Sequence, residues 1–185
     1  VDIEPTATYR LEVRGPGGAE SRAQTVVPDT FPSPEILAAV EEARCVPEGS
    51  DEENNPAVLR LRGIERLVAV KTLYYRTNPR TRWAVDHLAD TLQTAPGTIL
   101  AEIPYGTDIC DVPRGRDGQV DVFRIEVVVA AGDPEWPEFT GLDPTLKTLP
   151  EATSNVEGGV GYLGGVVTDT ALIFPTGAEG RGAVP

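Results

Sequence analysis

The sequence predicts a mainly β protein, an antiparallel, immunoglobulin-like β-sandwich carrying one or two short helices. Three observations predict it. Along the start of the chain Ile3, Tyr9, Leu11 and Val13 fall on odd positions with Arg10, Glu12 and Arg14 between them, and a period of two marks a half-buried strand. The 185 residues include 19 glycines and 17 prolines, well above the roughly 12% that the two together average, with no three-residue repeat of the collagen kind. Strand-like stretches are joined mostly by turns rather than by helical crossovers, which favours antiparallel sheets.

Each element is justified in turn. After the first alternating stretch, Gly15-Pro16-Gly17-Gly18 reads as a turn and Ala19–Val27 as the returning strand of a hairpin. A lone hairpin is marginal in water. Residues 1–28 are therefore expected either to finish a β domain whose start lies outside this chain or to pair with the next sheet along the chain. Pro28–Pro34 reads as a linker. Ser33 is placed to cap a helix over Glu35–Arg44, with Pro34 at its first position. Gly49–Pro56, with Asp51, Glu52 and Glu53, is an acidic loop. Ala57–Arg62 and Arg66–Tyr75, rich in Val, Leu and Tyr, read as strands. Asn78-Pro79 opens a second predicted helix that ends before Pro96-Gly97. On its wheel Ala84, Val85, Leu88, Ala89 and Leu92 share one face, and Trp83, His87 and Asp90 the other. Further strands are expected at Thr98–Ile103, Gln119–Ala131 and Val160–Phe174. Between the last two, Gly132–Pro150 reads as a loop with a helical turn near Glu135. The organisation is a hairpin at 1–28, a β-sandwich domain with helical insertions at 29–175, and a flexible tail at 176–185.

Charge excludes several functions. Twenty-nine acidic residues against 16 basic ones leave a net charge of −13. A nucleic-acid binder needs a positive footprint to displace counterions, and anionic membrane surfaces are disfavoured for the same reason. The clusters Arg60, Arg62, Arg66 and Arg76, Arg80, Arg82 read as solvated or acid-paired. The longest uncharged runs, such as Thr91–Ala101, fall well short of the roughly 20 apolar residues of a membrane-spanning helix. The chain contains no methionine. A primary translation product begins with Met, so a chain starting at Val1 is expected to be processed or to be part of a longer one.

The motifs argue for contact rather than turnover. From Gly159 the sequence reads G-V-G-Y-L-G, matching a dinucleotide-binding pattern, and Val166 extends it to the glycine loop of protein kinases. A phosphate loop must leave a strand and open a helix. Here Ser154, Asn155 and Glu157 precede the glycines, and the β-branched run Val166–Phe174 comes after them. Val68-Ala69-Val70-Lys71 resembles the kinase lysine strand but lies upstream, and the chain has neither H-R-D nor D-F-G. The glycines are read instead as a turn and a close-packed, bent strand. The sole histidine, His87, cannot alone build a metal site or a triad, and Ser21, Ser33, Ser50 and Ser154 stand outside any G-x-S-x-G. Its place on the polar face of the predicted helix, beside Trp83, suggests ring stacking or exposure. Asp108 and Asp111 bracket Cys110, and Asp117 and Asp121 flank Gly118. Calcium, which takes 6–8 oxygens from flexible segments, suits such acidic loops better than a glycosidase pair, although neither Asp51–Asn55 nor Asp117–Asp121 matches an EF-hand. Trp136, in the proline-bounded loop Asp133–Phe139, and Trp83 are aromatics of the kind enriched at protein contacts. With His87 and Phe139 they are the candidate contact residues. No cofactor is indicated.

Cys45 and Cys110 are the two cysteines. In a cytosolic protein they would be free thiols, and in an exported one they would most simply form one bridge. Neither sits in a C-x-x-C motif, which argues against redox catalysis and structural zinc.

Three stretches together carry a resemblance: Tyr9–Val13 with Thr25–Pro28; Val122–Val127 with Ala131–Pro134; and Ser154–Gly164. The set resembles a family of uncharacterised envelope lipoproteins of Gram-negative bacteria. That domain of unknown function ends in an S-N-(I/V)-x-G-G-x-G-x-(F/L)-G segment. Its members begin with a lipidated cysteine and a separate immunoglobulin-like domain, neither of which precedes the first hairpin here, in keeping with a chain expected to be processed or part of a longer one. The resemblance implies a β-sandwich, export to the periplasm or outer surface, and with it the Cys45–Cys110 bridge. It supplies no catalytic residues. The expected role is that of a non-enzymatic accessory or scaffold subunit of a membrane-associated protein complex. The alternative is an extracytoplasmic ligand- or glycan-binding module, using Trp83, Trp136 or calcium-loaded acidic loops. An envelope hydrolase is a third reading.

Overall fold

The computed structural model describes residues 3–38, 43–49, 56–76, 81–88, 91–112, 122–134, 136, 154–159 and 162–175. It is mainly β, with antiparallel sheets and, among the described residues, one α-helix. The acidic residues Asp51–Glu53, the Asp117–Asp121 pair, the turn expected near Glu135 and the tail lie outside the described residues.

The chain divides into two units. One comprises Val1–Thr30 and Ala130–Val167, the other Phe31–Val129 and Thr168–Pro185. The hairpin 1–28 therefore belongs with a later segment of the same chain.

In the first unit, β1 (Thr8–Arg14) and β2 (Glu20–Val26) pair antiparallel in one register from Thr8↔Val26 to Arg14↔Glu20. A single 3-10 turn at Pro16–Gly18 joins them. Alternation decides the burial of β2: Ala23 and Thr25 are interior, as is Val27 just past the strand, while Gln24 and Val26 face out. β1 is exposed along nearly all of its length.

The second unit contains two four-stranded sheets and forms a sandwich-like core. In one, β3 (Glu35–Ala38), β4 (Ala57–Arg62), β8 (Thr98–Ile103) and β7 (Thr91–Ala95) lie side by side in that order. In the other the order is β10 (Val166–Ile173), β9 (Val122–Gly132), β5 (Leu67–Arg76), β6 (Arg82–Asp86). The division between units falls inside β9 and β10. Each sheet buries every second residue: Ala57, Leu59, Leu61, Ala101 and Ile103 from one, and Val70, Thr72, Tyr74, Ile125, Val127 and Val129 from the other. This is the period-two pattern of strands with one face on a core. On a half-buried face Arg124 stacks over Tyr75, 4.1 Å from the ring centre, and Glu126 takes both the Arg124 guanidinium at 3.1 Å and the Tyr75 hydroxyl at 2.7 Å.

Both predicted helices are corrected. Glu35–Ala38 is the strand β3, paired with β4 through Glu35↔Arg60 and Ile36↔Leu59. Sheet pairing overrides the local Ser-Pro start signal, since propensity is a weak prior against tertiary context. The segment expected as a second helix forms β6 and β7. β6 pairs with β5 through Tyr74↔Trp83, and β7 pairs with β8 across Pro96-Gly97, where Gly97 takes φ +68°. A Pro-Gly turn between threonine-rich flanks is a hairpin signal, and here it outweighs the helical wheel. The one α-helix, α1 (Tyr105–Asp111), comes after β8 without a side-chain cap, and no start signal in the sequence announces it.

Candidate functional site

Among the described residues, the polar side chains with chemical potential gather in two buried clusters, one in each unit. Both are built on an aspartate.

In the first unit the segment from Ser154 to Gly165 is fastened to β2. Arg22 and Glu157 exchange two backbone hydrogen bonds, 3.0 and 2.8 Å. The Asn155 amide mimics a strand neighbour, donating to the Leu163 carbonyl at 2.8 Å and accepting from the Leu163 amide at 2.9 Å. Ser21 donates to the Gly158 carbonyl at 2.9 Å. Gly158 takes φ +71°, and a side chain there would strike the Glu20 carbonyl. A Cβ on Gly165 would lie 2.8 Å from the Val27 Cα. These glycines allow backbones to approach closely. Gly165 leads directly into β10, a strand, whereas a phosphate loop opens a helix. The described glycines of the dinucleotide pattern, Gly159 and Gly164, thus pack closely against neighbouring side chains, ahead of a strand and not a helix.

Asp133 is the hub of this unit, 2% exposed. Its Oδ2 accepts from the Thr25 hydroxyl at 2.5 Å and the Gly165 amide at 2.9 Å, and its Oδ1 accepts from the Tyr162 hydroxyl at 3.1 Å. Its own amide donates to the Gly165 carbonyl, and its carbonyl accepts from the Trp136 amide, both at 3.0 Å. Trp136 packs edge-on against Tyr162, with ring centres 5.4 Å apart. A buried carboxylate surrounded by donors in this way is satisfied and locks β2, the Asp133 loop and the glycine segment together. Beside the hairpin lies an open groove of about 450 Å³, lined by Arg10, Glu12, Arg22, Asn155 and Glu157 among others.

The second unit contains the other cluster. β5 supplies Tyr74, the residue after β6 is His87, and α1 supplies Asp108. The three are 0, 2 and 9% exposed. The Tyr74 hydroxyl donates to Asp108 Oδ2, and His87 Nε2 lies 3.0 Å from the same oxygen. Burial first, then the negative charge of Asp108, push the Tyr74 phenol far above its ordinary range. It stays protonated and serves as a donor. The His87 amide donates to the Val70 carbonyl at 2.8 Å, fixing the residue to β5. Cys110 of α1 forms the expected disulfide with Cys45. The Val46 amide donates to the Gly106 carbonyl at 3.0 Å, so the segment around Cys45 holds the helix at two points.

Sequence reasoning placed His87 on an outward polar face. The structure places it in the interior, because the segment before it is a strand and its wheel does not exist. An imidazole beside a carboxylate has the makings of a general base; here His87 shares Asp108 Oδ2 with the Tyr74 hydroxyl and is 2% exposed. Trp83 lies on β6, 38% exposed, opposite Tyr74 in the register. It and Trp136 belong to different units, and Phe139 lies outside the described residues. Sequence reasoning missed Asp108 as the partner of His87, and Asp133 with Thr25 and Tyr162. Strand pairing brings positions 74 and 87 together and the placement of α1 adds position 108, and no local motif marks that. Among the described residues no group of three or more His, Cys, Asp or Glu is placed to hold a metal ion, and no helix is long and apolar enough to cross a membrane.

Comparison with protein-family models, with curated proteins and with solved structures gives no match to this chain.

Proposed function

We propose that the protein is a non-enzymatic, exported accessory or scaffold subunit that works by protein–protein contact within a membrane-associated assembly. One observation carries this reading. The exposed large apolar side chains sit mostly on outer strands: Leu11 and Val13 on β1, Ile36 and Leu37 on β3, Trp83 on β6, Leu92 on β7, and Val166 and Leu172 on β10. Outer strands with apolar side chains facing water are surfaces for joining other chains. Meanwhile the groups with catalytic chemistry are engaged inside the fold. The Cys45–Cys110 bridge supports export, since such bridges persist in oxidising compartments. The envelope-family resemblance of Ser154–Gly164 supports the periplasm or outer surface of a Gram-negative bacterium.

Native purification without cross-linking tests the proposal. The scaffold reading expects co-migration with a membrane complex. A second reading, a small-ligand module, has the groove beside the hairpin as its observation. It expects a protein that runs alone and whose melting temperature rises with a sugar or calcium.

A further inference from the structure

Among the described residues β1 is the outer strand of a two-stranded sheet, and it lacks several of the devices that keep edges from joining: bulges, prolines, lysines and inward charges. Its charges, Arg10, Glu12 and Arg14, are of both signs. β3 and β7 contain register shifts, and in β10 Asp169 turns its carboxylate back onto the Thr170 amide. β1 runs Thr8-Tyr9-Arg10-Leu11-Glu12-Val13-Arg14 with no bulge, proline or lysine. Leu11 and Val13 are 48 and 51% exposed.

The hydrogen-bond pattern shows which backbone groups of β1 face outward. Arg22 spends its amide and carbonyl on Glu157, away from β1. Its opposite number, Glu12, is therefore in a non-hydrogen-bonded pair and points its own amide and carbonyl to the free edge. The bonds from the Gly15 amide to the Ala19 carbonyl and from the Val27 amide to the Ala7 carbonyl show the same phase: odd residues of β1 bond inward. Thr8, Arg10, Glu12 and Arg14 thus present the groups that have no strand partner among the described residues.

A second strand must match this phase, even residue against even. For a second copy of β1 lying antiparallel, three central registers do so. An axis through Arg10 sets Arg10 against Arg10. An axis through Glu12 sets Glu12 against Glu12 and Arg10 against Arg14. An axis through Leu11 sets Arg10 against Glu12 twice, Tyr9 against Val13 twice and Leu11 against Leu11. Opposite charges and apolar partners facing each other stabilise a strand pair, and like charges destabilise it. We propose that β1 is a self-pairing edge, joining two copies of this chain antiparallel about a two-fold axis at Leu11. The interface is isologous, contributes about eight new backbone hydrogen bonds from its four opposed even-residue pairs, and covers Leu11 and Val13. It goes beyond the contact role above by naming the surface and its partner, and it needs no other protein.

The test uses the whole purified, oxidised chain. Sedimentation from low micromolar to about 1 mM, a range that reaches weak contacts, should show a monomer–dimer equilibrium. Arg10→Glu and Glu12→Arg should each weaken it about tenfold by facing like charges, and the double variant R10E/E12R should restore it. These side chains are exposed and the nearest ion pair, Arg22–Glu12, is long at 3.9 Å, so the fold should survive, as circular dichroism will show. In Leu11→Cys the two new thiols face each other in a close, non-hydrogen-bonded pair suited to a bridge. That variant should cross-link on mild oxidation, and Val13→Cys should not. A chain that is monomeric at every concentration overturns the proposal. So does a dimer indifferent to the single reversals, or one in which the double variant fails to recover. Amides of Arg10 and Glu12 that gain protection from a foreign extended peptide, but not from raised protein concentration, also overturn it.

Discussion

The two buried aspartates solve one problem in different ways. Among the described residues Asp133 is satisfied by neutral donors: two hydroxyls and a backbone amide converge on it. Asp108 faces a phenol and an imidazole, and it rides on a seven-residue helix with no side-chain cap that is fastened by a disulfide. The first cluster is assembled by chain packing at Gly165. The second depends on a covalent tie to hold a short helix that would be marginal alone. The carboxylate is common to both, and what differs is the element that delivers it.

That difference can be broken from either side. The largest effect should come from reducing Cys45–Cys110. Opening a loop with a sequence separation of 65 residues should remove about 4 kcal/mol of stability on the chain-entropy estimate, read from full urea curves, whose slope should also rise as the unfolded chain expands. Asp108→Asn should cost about 3 kcal/mol, because it takes the carboxylate from a buried partner. Its cost should shrink in the reduced protein, since both changes act through α1 and coupled changes do not add. Asp133→Asn should cost about 2 kcal/mol by turning an amide NH2 toward one of the donors, and that cost should be the same whether the disulfide is closed or open. Equal coupling of both aspartates to reduction would erase the distinction.

A smaller effect is confined to alkaline solution. The native Tyr74 phenol is raised above its unfolded value, so above about pH 10 the unfolded chain gives up a proton that the native chain keeps. Stability from this residue is fully present below that pH and declines above it, by up to about 1.4 kcal/mol per pH unit. Thermal melts from pH 9 to 11 in the parent and in Tyr74→Phe should separate this slope from that of the other tyrosines.

Legibility followed the source of each ordering force. Strands defined by their own alternation were readable: Ala57–Arg62 is β4 residue for residue, and the 1–28 hairpin turns where Gly15–Gly18 predicts. Segments whose form is decided by a neighbour were not. Glu35–Ala38 is a strand because β4 lies beside it, and 82–95 because β5 and β8 do. The same limit applies to the clusters. The disulfide was foreseeable from two cysteines and an inferred compartment, but His87 meets Asp108 only through pairings spread over three elements.

The membership of the first unit bears on how the protein is made. Val1–Thr30 leaves the ribosome well before its partners, which begin at Ala130. At roughly 5–20 residues per second, that separation leaves the early hairpin uncovered for roughly 5–20 seconds. During that interval Ala23, Thr25 and Val27 have no Asp133 or Gly165 to close over them. A nascent chain with two open strand edges is the form most in need of a chaperone, and any pause in translation before the glycine segment prolongs that need.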